Sequence, residues 1–194
     1  MRCTVAIHDR IGRDRLAGAV EPLTPEQALG LLQSAICEAA HAAVGGRDAE
    51  VELTLCADAE MQRLNFDHMG ERAPTDVLSF PLHEWSVERG RSLLEEDGVQ
   101  PPGPLVLGDV VIDVDQAVRQ AAEGDWSVVE ELVLLAIHGT LHLVGHDHAD
   151  IDEEEAMRAA EHRVLGHLHR THREVAWRPG SLFDRSGHAV TSGS

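Results

Sequence analysis

The stretch SVVEELVLLAIHGTLHLVG, residues 127–145, constrains this chain more than any other. Ser127 followed three residues later by Glu130 is the S-x-x-E pairing of a capping box, and Gly145 suits the left-handed turn that ends a helix. Between them apolar side chains occupy most of the circumference, so the helix has to be buried on nearly every side. A chain that buries such a helix must wrap other layers around it. Yet the same helix carries two histidines, His138 and His142, close to its end.

The flanking segments supply those layers. CTVAIHD, VELTLCA, VLSFPL and LVLGDVVI read as four strands, VELTLCA alternating like a half-buried one. Gly108–Asp109 inside the last strand suggests a bulge or a close backbone approach. LTPEQALGLLQSAICEAAHAAVGG reads as a helix capped by Thr24 and Gln27, with Pro25 in its first turn and Gly45–Gly46 at its end. Asp58 is expected to cap a short helix, AEMQRLNFDH, and Asp113 to open another, DVDQAVRQAAEG. DEEEAMRAAEHRVLGHLH is a last amphipathic helix with acids at its start, where the helix dipole favours them. The acidic, Gly- and Pro-rich segment 83–104 is expected to be an exposed loop. The pattern predicts a single α+β domain over residues 1–177, with a mixed sheet of about four strands and about five helices. Residues 178–194 read as a flexible tail.

Composition narrows the function classes. The formal charge of −18, with no lysine, argues against broad nonspecific nucleic-acid binding, which relies on basic side chains neutralising phosphates. No run approaches the roughly 18 apolar residues of a membrane helix, and the first residues lack a signal-peptide core, so a cytoplasmic location is expected. Cys3, Cys37 and Cys56 are odd in number and widely spaced, which reads as reduced thiols.

Positions four apart on an α-helix lie roughly 40° apart on one face, so His138 and His142 aim at one point. The glycine turn at 145 sends the chain back and brings His148 in as a third donor. Three neutral imidazoles suit zinc, at about 2.0–2.1 Å from each nitrogen, and leave one position open, as catalytic sites do. The plain alternative is surface histidines, in a chain that has 13 of them. An unpaired imidazole on a buried apolar helix is costly, which weighs against that reading. His146 stays open between a group beside the metal, a substrate contact and plain exposure. Asp147 stays open between a carboxylate orienting an imidazole and a solvated turn. His162, His167, His169 and His172 lie among Arg and Glu on an amphipathic helix and read as a solvated face.

The segment HGTLHLVGHDH, residues 138–148, has the ligand spacing of the metzincin zinc motif, with Gly139 where a protease carries its glutamate base. It also resembles the H-G-x-L-H-L-x-G-Y-D-H motif of the YbeY family of bacterial metal-dependent endoribonucleases. LNFDHMGERAPTDVLSFP, residues 64–81, resembles that family's L-N-x-x-[YH]-[RM]-x-x-x-x-P-T-D-V-L-S-F-P block, and LGDVVI, residues 107–112, resembles its L-G-D-I-x-I strand. The resemblance spans about residues 50–170. It implies a single α+β domain with a zincin-like metal helix and one zinc held by His138, His142 and His148. It further implies cleavage of single-stranded RNA, maturation of the 3′ end of 16S rRNA, and contact with small-subunit ribosomal proteins or an assembly GTPase.

Two departures stand out. His146 replaces the motif's tyrosine, and Met69 stands where many members carry an arginine thought to help cleavage. Arg72 is the candidate substitute for that charge. His138 or His146 is the candidate for proton transfer. Arg63 and Arg72 are candidate linings of an RNA groove, despite the acidic total. Thr75 and Asp76 either face the site or cap a turn, and the resemblance suggests that Asp109 belongs to a ribosome-contact surface. Two other functions compete: a metallopeptidase, disfavoured by Gly139, and a non-catalytic zinc-binding assembly factor, favoured by Met69.

Overall fold

The computed structural model describes residues 2–41, 44, 47–70, 75–83, 85–86, 91–92, 103–147, 150–173, 175 and 177. Strand β1 (Cys3–Asp9) leads through helices α1 (Arg13–Ala19) and α2 (Pro25–His41) to β2 (Ala49–Cys56). Helix α3 (Asp58–Met69), β3 (Val77–Pro81), the short β4 (Trp85–Ser86) and β5 (Arg91–Ser92), and β6 (Leu105–Asp113) follow. The chain then forms α4 (Val114–Gly124), α5 (Val128–Leu143) and α6 (Ile151–Thr171). The main sheet has the order β1-β2-β6-β3, with β1, β2 and β6 parallel and β3 antiparallel on the edge. This is the expected single α+β domain with a four-stranded mixed sheet. It has six helices among the described residues, because α1, with only Leu16 buried, was not expected.

Helix α5 explains the layering. Of its 16 residues, 12 are buried, Glu130 and Glu131 among them, and that leaves almost no face for solvent. Its capping box is formed as expected: Ser127 N–H donates to Glu130 Oε2 at 2.9 Å and Glu130 N–H donates to Ser127 Oγ at 3.2 Å. Leu132, Ile137 and Leu141 pack into a core with Leu32 and Ile36 of α2, Leu53 and Ile112 of the sheet, and Leu165 of α6. Each such burial stabilises the fold by about 1.5–3 kcal/mol.

Several local expectations need correction. Strand β2 alternates only at its start; Leu53, Thr54, Leu55 and Cys56 are all buried, because α3 covers the other face there through Met61. Asp58 does not cap α3. The N-cap is Ala57, without a side-chain bond, and the Asp58 carboxylate instead accepts two hydrogen bonds from Arg119, at 2.9 and 2.6 Å. The segment 83–104 contains the antiparallel pair β4–β5, so it is not wholly a loop. Helix α2 has its Thr24–Gln27 box, with bonds of 2.9 and 3.3 Å, while Gly45 and Gly46 lie outside the described residues. Gly108 has φ 137° at a register shift between β2 and β6, and a side chain there would collide with the Phe80 carbonyl of β3, so the close approach is real. Residues 178–194 lie outside the described residues.

Candidate metal centre

At the end of α5 the spacing of His138 and His142 converts into convergence. Their Nε2 atoms are 3.1 Å apart and their rings meet nearly edge to face, at an interplanar angle of 78°. Two nitrogens this close fit one ion at about 2.0–2.1 Å from each. The other nitrogen of His138 is already committed: Nδ1–H donates to Glu161 Oε1 at 2.8 Å. That bond fixes the tautomer and leaves the Nε2 lone pair for a ligand. The donor set, two convergent imidazoles with a carboxylate behind one of them, therefore fits a zinc ion.

Gly145, at φ 86°, turns the chain back immediately afterwards. Its N–H donates to the His142 carbonyl at 3.1 Å and the His146 N–H to the Leu141 carbonyl at 3.0 Å, a Schellman pairing that ends the helix. His148, the third expected ligand, lies outside the described residues, as does Arg72.

Position 139 points away from this convergence. A Cβ on Gly139 would lie 2.7 Å from Val110 Cγ1 and 3.1 Å from both Ser79 Oγ and Val77 Cγ2. The Ser79 hydroxyl donates to the Gly139 carbonyl at 3.0 Å. The residue after His138 is thus the contact between α5 and the sheet. It has no space for the glutamate of a protease.

A groove of about 490 Å³ opens beside the imidazoles, lined among others by Met69, Thr75, Asp76, His146 and Asp147. Met69 is 67% exposed there. Thr75 and Asp76 both line the groove and shape the turn: Asp76 accepts from Val77 N–H at 2.8 Å and from Gln120 Nε2 at 2.8 Å. Burial, with some help from Arg163, pushes the His146 imidazole below its ordinary pKa. The carboxylate that reaches His138 comes from α6, 23 residues along the chain, and no sequence spacing announces it.

The other candidate residues lie elsewhere. Arg63 sits on α3 with Glu60 at 3.7 Å and is not among the residues lining this groove. Asp109 lies level with Glu52 and Phe80 in the sheet, and it alternates with Val110, whose side chain faces α5. Its side chain is therefore on the opposite face, where burial and then Glu52 raise its pKa, against His8. The four histidines of α6 and its end are not one solvated face. His162 lines a cavity of about 320 Å³ between α5 and α6, His167 pairs with Glu38 at 3.5 Å, and the His172 carbonyl accepts from the Trp177 indole at 3.0 Å. His169 stacks on Trp177 at 4.5 Å, with its pKa lowered by burial.

Asp58, Asp113 and Asp115 form an acidic trio beneath the far end of β6, their ligand atoms within 4.8 Å of one another. Arg119 holds Asp58 and Arg15 holds Asp115, so two guanidinium groups already balance two of the three charges.

Comparison with known proteins places the chain in a family. The family model described as Endoribonuclease YbeY matches residues 20–169. Endoribonuclease YbeY of Desulfitobacterium hafniense is 42% identical over 139 residues, 72% of this chain and 84% of that protein. Its counterpart from Pelotomaculum thermopropionicum is 42% identical over 146 residues, 75% of this chain and 90% of that one. The solution structure of TM1509 from Thermotoga maritima shares the fold, with a TM-score of 0.51 at 20% identity, covering 98% of this chain and 100% of that one. By the extent of these matches, the chain belongs to the YbeY endoribonuclease family.

Proposed function

We propose that this protein is a zinc-dependent endoribonuclease that cuts single-stranded RNA, acts in maturation of the 3′ end of 16S rRNA, and works in the cytoplasm. The observation that carries the reading is the convergence of two imidazole nitrogens, 3.1 Å apart, at the mouth of an open groove in a chain of this family. His148 completes the ligand set. A zinc ion held there supplies positive charge for a phosphoryl oxygen and makes nearby water more acidic.

The chain's own residues do the rest. His138 is held in one tautomer by Glu161, so its Nε2 faces the groove. His146 lines the same groove and is the group best placed to move a proton within it. Thr75 and Asp76 line the groove as well, and a ribose or a base edge is proposed to lie against them. Gly139 leaves no base for amide hydrolysis, whereas an RNA phosphodiester brings its own 2′-hydroxyl as nucleophile. Arg63 and Arg72 are the cations proposed to meet the RNA backbone, and Asp109 is proposed to meet a basic ribosomal partner or an assembly GTPase on the other side of the sheet.

A second reading is favoured by Met69: an exposed thioether, not a guanidinium, occupies the groove wall, as suits a zinc-binding assembly factor without catalysis. Cleavage of a labelled single-stranded RNA, measured with and without a chelator and in the His142→Ala protein, separates the two. Chelator-sensitive cleavage that His142→Ala abolishes, with casein left intact, is the expected result. Zinc uptake without any RNA cleavage would favour the assembly factor.

A further inference from the structure

Glu161 stands where a carboxylate is expensive. Helix α6 presents Met157, Val164, Leu165 and Leu168 to the core, and Glu161, four residues after Met157, falls on that same stripe. Its side chain is only 15% exposed. A desolvated carboxylate needs a hydrogen-bonded partner to persist, and the partner here is the Nδ1–H of His138, at 2.8 Å.

We infer that Glu161 is a positioning residue for the metal: through His138 it sets how tightly this chain holds zinc. The inference rests on the zinc reading proposed above. A carboxylate that accepts the Nδ1–H keeps Nε2 as a lone-pair donor, fixes the ring plane and makes the imidazole a stronger base toward a cation. It also places a negative charge next to the ion and favours binding by direct attraction. Two contributions are therefore separable. Glutamine keeps an acceptor oxygen but loses the charge, and alanine loses both.

The test measures zinc dissociation constants for the wild-type protein and for Glu161→Gln, Glu161→Ala and His142→Ala, by competition with a chromophoric chelator at constant pH. Thermal melts of the metal-free proteins run alongside. Removal of a partner of this kind weakens binding by about 10–100-fold, so Glu161→Ala is expected in that range and Glu161→Gln between it and wild type. Nitrogen NMR shifts of the His138 ring in metal-free protein should show a single tautomer in wild type and in Glu161→Gln, and a mixture in Glu161→Ala. Zinc affinity in Glu161→Ala within about threefold of wild type, alongside a large loss in His142→Ala, would overturn this inference and leave the metal site standing. Affinity losses that simply track losses in melting temperature would overturn it too, by reducing Glu161 to a structural role. If wild type takes up no zinc, or His142→Ala binds it as tightly, the metal reading itself fails and this inference falls with it.

Discussion

Ser79 on the edge strand β3 donates its hydroxyl to the carbonyl of Gly139, 3.0 Å away, and thereby ties α5 to the sheet one residue after its first histidine. The same contact explains why a glycine follows His138. A Cβ at position 139 would crowd Val110 and Val77, both stiff β-branched side chains. Replacement by glutamate overpacks that contact and buries a carboxylate against it. The expected cost is at least about 3 kcal/mol, a fall in melting temperature of roughly 6–12 °C for a chain of this size. No peptidase activity should appear. A Gly139→Glu protein that melts like wild type would refute the packing argument.

Asp113 gives a pH dependence with a definite sign. The residue is fully buried and caps α4, with Oδ1 accepting from Asp115 N–H at 2.9 Å and Gln116 N–H at 3.3 Å, while Oδ2 has no donor among the described residues. Burial first, and then the neighbouring Asp58, push its carboxyl up to about 7. In the unfolded chain it titrates near 3.9, so between about pH 4 and pH 7 the native state binds more protons and stability falls as pH rises. This contribution is whole below about pH 4 and gone above the folded value. The substitution Asp113→Asn keeps the capping oxygen without the titration. The Asp113→Asn protein should therefore lose less melting temperature than wild type between about pH 5 and pH 8; parallel curves would show that Asp113 does not titrate in that window.

The end of the chain separates into two predictions from one measurement. Trp177 stacks on His169 at 4.5 Å and donates to the His172 carbonyl at 3.0 Å, closing α6 against the core. Trp177→Ala should cost about 2 kcal/mol, or roughly 4–8 °C. Removing residues 178–194, whose composition has no periodic apolar positions, should change the melting temperature by less than about 2 °C. A truncation that destabilises as much as Trp177→Ala would mean that the terminal segment packs on the domain.

What could be read from the sequence divides along the range of the interactions. Ser127 with Glu130, Thr24 with Gln27, and Gly145 act within one turn, so the residues announce themselves, and His138 with His142 share a helix face by arithmetic alone. Asp58 misleads because Arg119, 61 residues away, takes the carboxylate that would otherwise cap. Helix α1 has a glycine N-cap without a side-chain bond and one buried residue, too little periodicity to register. Glu161 left one usable trace. It is a charged residue on the apolar stripe of an amphipathic helix, and such a position implies a buried partner even when spacing cannot name it. His169 left the same trace and proved to be packed on Trp177.

Met69 lines the same groove as His138 and His142 and is 67% exposed, so a longer charged side chain fits there without repacking the core. Cleavage of a phosphodiester spreads new negative charge over the phosphoryl oxygens, and a guanidinium aimed at them is worth more in the transition state than in the bound substrate. Met69→Arg should therefore raise the single-turnover rate on single-stranded RNA by about 10-fold, equivalent to ~1.4 kcal/mol from one added charge-assisted contact. Because every cation also attracts RNA, the rate at saturating RNA decides the matter. A gain confined to KM, with kcat unchanged, would show that the added arginine only binds. The gain should vanish on chelation and in the His142→Ala background, since the arginine supplements the metal site and does not replace it. A Met69→Arg protein whose extra cleavage survives loss of His142 would place the reaction somewhere other than this groove.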